Sequence, residues 1–178
     1  MNELQQRELQ MLKEIIGICD RLGIRYYLVC GSALGAAKYQ GFIPWDDDMD
    51  VGLPRPDYEI FMKEAPALLP ENYFLQTYHS DPNYAHVFGK LRDSNTTLIE
   101  TNVAHLPMNH GVYIDIFPLD GYPQKAFQQH LFEIKKKFYS WTTDCALDVN
   151  TSLKVGWRAT IYLSVNGVIQ AAVGLIFP

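Results

Sequence analysis

Five consecutive residues, Asp46-Asp47-Asp48-Met49-Asp50, carry four carboxylates. Charges this close repel one another and disfavour a strand, so such a run persists where a cation neutralises it or where water solvates a plain acidic turn. The flanks argue against the turn. Phe42-Ile43-Pro44-Trp45 precedes the run, and Met49, Val51 and Leu53 interleave with it or follow it. Strand alternation puts Asp48 and Asp50 on one face with Asp46 on the same side, and leaves Asp47, Met49 and Val51 on the other. Side chains two apart on a strand are about 7 Å apart at Cα and can close on one divalent cation. A calcium loop begins with the same spacing at Asp46, Asp48 and Asp50. However, Val51 stands where its turn glycine belongs, and Asp57 where its closing glutamate does.

Two other sites carry chemistry. Asp115 interrupts the apolar run Val112-Tyr113-Ile114-Asp115-Ile116-Phe117, a costly place for a carboxylate unless it is paired, hydrogen-bonded or on a metal. Gly31-Ser32 follows a strand-like run and opens a helix-like one, the geometry in which backbone amides and a hydroxyl hold phosphate. His79, His86, His105, His110 and His130 show no metal-ligand spacing.

These residues need elements to position them. An amphipathic helix is expected over 3–22, with Leu9, Leu12, Ile15, Ile16, Cys19 and Leu22 on one face and Gly23 as its stop. Strands are expected over 25–30, 73–78, 86–92, 96–100 and 112–117, a short helix over 33–39, and another over 56–69 between Pro54 and Pro70. Helical segments over 124–141 and 152–176 close the chain. The pattern is α+β, a small mixed sheet flanked by helices with a helical C-terminal region. Its organisation reads as a core over 1–122 and a helical region over 123–178.

The chain has 178 residues, 15 Lys+Arg against 20 Asp+Glu, and a net charge of −5. The acidic balance argues against nucleic-acid binding, which needs a basic face. Cys19, Cys30 and Cys145 form no C-x-x-C pair and read as small buried hydrophobes in a reducing compartment. No signal-peptide pattern opens the chain. The stretch Ala159–Pro178 is uncharged, with Ile161, Val165, Val168, Ile169, Ala172 and Ile176 at helical spacing. A core helix is the expected reading, with a helix lying against a membrane surface and a true span as the alternatives.

A Gly-Ser turn, an Asp-x-Asp strand and a later strand Asp together resemble the nucleotidyltransferase fold. The stretches Gly31-Ser32-Ala33-Leu34-Gly35-Ala36-Ala37-Lys38 and Gly41-Phe42-Ile43-Pro44-Trp45-Asp46-Asp47-Asp48-Met49-Asp50-Val51-Gly52 more closely resemble the LicD family, as do Lys90-Leu91-Arg92-Asp93 and Gly111 through Asp120. These are the phosphocholine transferases of bacterial surface glycans, related to fukutin-type ribitol-phosphate transferases. The likeness covers about residues 10–125. Lys38 stands where the family carries Arg, and Met49 where it carries an aliphatic residue. Family members run on well past residue 178, so the tail is expected to be a shortened or incomplete acceptor-side region.

The resemblance implies transfer of a phospho-alcohol group from CDP-choline or a related CDP-alditol to a hydroxyl of a glycan or lipid-linked glycan, releasing CMP. With no export signal visible, the expected setting is cytoplasmic, at the inner face of the membrane. Asp48 and Asp50 would hold Mg²⁺ or Mn²⁺ with Asp46 as an outer ligand, and Asp115 would orient or deprotonate the attacking hydroxyl. Gly31 and Ser32 would contact phosphate, and Lys38, Lys90 and Arg92 would neutralise the diphosphate. Trp45, Tyr58 and Tyr113 are the aromatic residues available to receive a quaternary ammonium. Two other readings use the same residues: a nucleotidyltransferase moving NMP, and a non-catalytic module that binds a CDP conjugate.

Overall fold

The computed structural model describes residues 1–84, 86–101 and 103–151, with residues 139–151 as helical backbone alone. Helix α1 (Glu3–Leu22) starts in a reciprocal cap. The Asn2 side chain accepts from the Gln5 amide at 2.8 Å, and the Gln5 side chain accepts from the Asn2 amide at 3.2 Å. Gly23 ends the helix in the left-handed conformation, at φ 66°. The buried stripe is turned from the expected one: it comprises Gln5, Glu8, Met11, Leu12, Ile15, Ile18 and Cys19, with Leu9, Ile16 and Leu22 at its margin. Gln5 accounts for part of that rotation, because its Nε2 donates to the carbonyls of Ile43 at 3.3 Å and Asp46 at 3.0 Å.

There follow β1 (Tyr27–Leu28), α2 (Cys30–Tyr39), β2 (Asp50–Pro54), α3 (Arg55–Glu64) with a 3-10 turn at Ala65–Ala67, β3 (Tyr73–Gln76), β4 (Gly89–Asp93), β5 (Val112–Leu119) and α4 (Ala126–Thr151). The strands form one sheet in the order β1-β2-β5-β4-β3. β2 and β5 are parallel and the other three pairings antiparallel, giving the expected α+β class with a mixed sheet. β1 is shorter than expected because Cys30 leaves the extended conformation at φ 49° and opens α2, although the Val29 amide still donates to the Asp50 carbonyl at 3.2 Å. The strand expected over 96–100 is a loop. The Asn95 and Thr96 amides fold back on Asp93, each at 3.1 Å, and Thr96 Oγ1 receives the Val112 amide at 2.9 Å.

The chain divides into two compact units. Met1–Glu100 with Pro107–Gly121 holds the sheet and the first three helices; Thr101–Leu106 with Tyr122–Pro178 forms the other. In the second, α4 continues through the break expected at 141. Tyr122 packs edge-on to Phe132, ring centroids 5.5 Å apart, and Gln129 Nε2 donates to the Pro123 carbonyl at 2.9 Å. The helix expected over 152–176, and with it the uncharged stretch, lies outside the described residues. Among the described residues no helix is long and apolar enough to cross a membrane.

Alternation sorts the sheet into two faces. Val51, Leu53, Leu75, Leu91, Ile114 and Ile116 share a core with Met11, Ile15 and Ile18 of α1 and Phe61 of α3. Asp50, Asp115, Tyr113, Lys90, Arg92 and Gln76 occupy the intervening positions on the opposite face. Gly111 sits where this face meets the turn after β4. A Cβ there would lie 2.1 Å from the Asp93 carbonyl oxygen, and the Gly111 carbonyl accepts from Arg92 Nη1 at 2.9 Å. Gly111→Ala is therefore expected to destabilise the chain by about 2 kcal/mol or more. A thermal melt should show this as a midpoint lowered by roughly 4–8 °C for a chain of this size.

Candidate active site

The parallel pairing sets Asp50 directly beside Asp115, on strands about 4.8 Å apart. Their exposures are only 8% and 9%. The backbone locks this register, with the Asp115 amide donating to the Met49 carbonyl at 2.9 Å. Ser32, in the first turn of α2, accepts the Asp50 amide on its Oγ at 2.8 Å. The Asp46 carboxylate packs over Gly31, where a Cβ would meet its Oδ2 at 2.9 Å. Gly31, Ser32, Asp46, Asp50 and Asp115 thus converge on one end of the polar face.

Crowding and burial shape the acidity here. Burial, followed by the fields of Asp48, Asp115 and Asp46, pushes Asp50 up to about 6, against a hydrogen bond from Cys30. Burial also pushes Asp115 up to about 6, although Lys90 pulls it down. Asp48 is raised by burial and then by Asp46 and Asp47. Cys30 holds the left-handed conformation at φ 49°, an unfavourable one for a residue with a side chain. Burial and then Asp50 raise its thiol above the usual range.

On the next strand, Lys90 Nζ lies 3.2 Å from Asp115 Oδ1 and 3.1 Å from Glu100 Oε1, and 3.5 Å from the centre of the Tyr113 ring. Arg92 is fully buried. Its Nε donates to Gln76 at 2.8 Å, Nη1 to the Gly111 carbonyl and Nη2 to Glu100, both at 2.9 Å. The expected contact of Arg92 with a diphosphate is thereby displaced, because the guanidinium is enclosed and holds Glu100. Burial works to raise Glu100, but Lys90 and Arg92 outweigh it and keep the carboxyl below its usual range. Sequence reading passed over Glu100, since it lies in a loop that was expected to be a strand.

Other expected residues are placed otherwise than strand alternation suggests. Asp48 precedes β2 rather than lying in it, so it does not share a strand face with Asp50. Instead it joins Asp46 and Asp47, which was expected to point away: one carboxylate oxygen from each of the three lies within 4.8 Å of the others. The physical reason is a turn at the Asp46 amide, which donates to the Ile43 carbonyl at 3.0 Å and delays strand pairing to Asp50. Lys38 is exposed in the last turn of α2, about 9 Å along the helix axis from Ser32. The three aromatic residues do not converge. Trp45 is 78% exposed and edge-on to Tyr39, Tyr58 is buried beneath Arg55, and Tyr113 already faces Lys90 and Arg92.

The family model described as LicD/FKTN/FKRP, nucleotidyltransferase domain, matches residues 23–148. The lipopolysaccharide cholinephosphotransferase LicD of Haemophilus influenzae is 32% identical over 131 residues, covering 70% of this chain and 48% of that protein. An uncharacterized protein of Rickettsia prowazekii is 30% identical over 128 residues, covering 71% of this chain and 44% of its own length. Human ribitol 5-phosphate transferase FKRP is 31% identical over 87 residues, covering 41% of this chain and 18% of its own length. The chain therefore spans less than half the length of these curated relatives. Both named relatives are transferases.

Glu8 of α1 also belongs to this neighbourhood, and sequence reading missed it. A signal was present: it falls three residues before Met11 and four before Leu12, inside the apolar stripe. The residue is fully buried and neither carboxyl oxygen has a hydrogen-bond partner. Burial, then Asp48, Asp47 and Asp46, push it up to about 8. An acid raised in the fold is deprotonated more readily once unfolded, so metal-free stability should fall as pH climbs from about 4.5 to about 8. Glu8→Gln should flatten that slope and raise the midpoint at pH 7, a comparison that melts across the pH range in chelator will make.

Proposed function

The chain belongs to the LicD/FKTN/FKRP family of nucleotidyltransferase domains, and we propose that it transfers a phospho-alcohol group, phosphocholine first among them, from a CDP-activated donor to a hydroxyl of a cell-surface glycan or its lipid-linked precursor. CMP is the leaving group. The observation that carries this reading is the in-register pair of nearly buried carboxylates, Asp50 and Asp115, beside Ser32 at the start of α2.

The donor set fits a hard divalent cation. All its groups are oxygens, and two of them, Asp50 and Asp115, are forced together in a partly dehydrated row where a cation offsets their repulsion. Asp48 and Asp50 would hold Mg²⁺ or Mn²⁺, with Asp46 as an outer ligand. A cation held there would supply positive charge to offset that of the donor phosphates and the charge developing on the departing CMP.

The chain's own residues do the rest. Ser32 uses an oxygen lone pair on the Asp50 amide and keeps its proton for a phosphate oxygen, next to the Gly31 backbone at the positive end of α2. The acceptor hydroxyl oxygen attacks the distal phosphorus, its proton passes to Asp115, and the phosphorus–oxygen bond to CMP breaks. A carboxylate pushed up to about 6 is a stronger base than an ordinary one and is still ionised near neutral pH. Lys90, held by Glu100 and over Tyr113, fixes the Asp115 carboxylate in place. The choice of phosphocholine leans on the Haemophilus relative's name, since Trp45, Tyr58 and Tyr113 form no cage.

With CDP-choline, CDP-ribitol or CDP-glycerol and an acceptor, the expected outcome is CMP release that needs Mg²⁺ or Mn²⁺. Asp50→Asn should lower that rate on the order of a thousandfold. Asp115→Asn should lower kcat roughly 10²- to 10⁴-fold while leaving the donor KM unchanged. Pyrophosphate release from CTP in place of CMP would assign nucleotidyl transfer instead, and an undiminished rate in Asp50→Asn would overturn the site.

A further inference from the structure

Helix α4 presents an apolar stripe that the described residues of its own unit leave exposed. Turns of 3.6 residues put Phe127, Leu131 and Ile134 within about 60° of one another around the helix. They are 73%, 43% and 52% exposed. The helix meets its own unit on the opposite side, where Phe132 packs edge-on to Tyr122 and Gln129 Nε2 donates to the Pro123 carbonyl. Lys135 and Lys137, both exposed, lie about 80° to either side of Phe127. On the far side from the stripe, Lys136 Nζ is 3.9 Å from Glu133 Oε2.

The charge of the chain is divided in the same sense. Residues 1–122 hold nine Lys+Arg against 17 Asp+Glu, whereas residues 123–178 hold six against three. An apolar row with a lysine along each edge fits a surface that is apolar within and anionic at its rim. Residues 152–178 match the first property and not the second, since their charged side chains are Lys154 and Arg158. A lipid surface with anionic headgroups matches both.

We propose that residues 126–137 of α4 bind an anionic membrane surface. Phe127, Leu131 and Ile134 enter the headgroup boundary, and Lys135 and Lys137 reach lipid phosphates along the two edges. The helix lies in the plane of the surface and does not cross it. The contact needs no donor and no divalent cation, so it stands or falls apart from the phosphotransfer reading.

The test is flotation of the whole chain with vesicles, in chelator and without nucleotide. Vesicles of phosphatidylcholine with about one-third phosphatidylglycerol should bind the wild type on the order of tenfold more tightly than phosphatidylcholine alone, and high salt should remove the difference. Lys135→Gln combined with Lys137→Gln should weaken binding to the anionic vesicles on the order of tenfold. Phe127→Ser should weaken it at every salt concentration. All three positions are exposed, so neither variant should lower the thermal midpoint. Full binding retained by both variants would overturn the proposal and move the contact elsewhere on the chain. A wild type that stays free of anionic vesicles would overturn it as well. A midpoint then lowered by Phe127→Ser would assign the stripe to residues 152–178, and a dimer split by that change would assign it to a second copy.

Discussion

Asp50 and Asp115 stand side by side because β2 and β5 run parallel in that register, and neither can turn its carboxylate fully into bulk water. Much of the polar face follows from that repulsion. Lys90 answers Asp115, and a buried lysine then needs company of its own, which Glu100 and the Tyr113 ring provide. Glu100 in turn is held by Arg92, and Arg92 by Gln76 and the Gly111 carbonyl. Gln76 continues the chain to Asp81 and the Asn109 carbonyl. Such a network is stable only when its members are satisfied together, which is why so many charged and amide groups are enclosed in a small sheet.

Helix α1 serves both faces of this arrangement. Met11, Ile15 and Ile18 pack in the core, while Gln5 holds the loop that carries Asp46. Arg7 pairs with the buried Asp93 at the end of β4, where Asn72 also donates. One helix thus fixes the height of the acidic turn above the sheet and anchors the strand that delivers Lys90. Rigid support of this kind keeps reacting groups within the tolerances that phosphoryl transfer requires.

Much of the fold was legible because its signals are local. The cap and stop of α1, the prolines around α3 and the apolar run of β5 each declare an element without reference to the rest. The carboxylate run and Gly31-Ser32 were legible for the same reason. What escaped depends on tertiary partners. Alternation placed Asp48 with Asp50, but the turn at Asp46 delays pairing by two residues. Arg92 reads as a ligand for phosphate until Gln76, Gly111 and Glu100 are seen around it. The turn chemistry of Asp93 to Thr96 outweighed the strand propensity of the residues after it, and so placed Glu100 where a lysine and an arginine meet.

The topology also has a consequence for the order of assembly. Ser32 and Asp50 are 18 residues apart and joined through one short helix and a loop, and Lys90 and Asp115 belong to neighbouring antiparallel strands. Each half can come together with a modest loss of chain entropy. Joining them requires the parallel β2–β5 pairing, which encloses α3, β3 and β4 and brings like charges into contact as it closes. Loop closure and electrostatics both set that step late. Dissolved divalent ions are therefore expected to speed that step, by screening the final approach of the two strands.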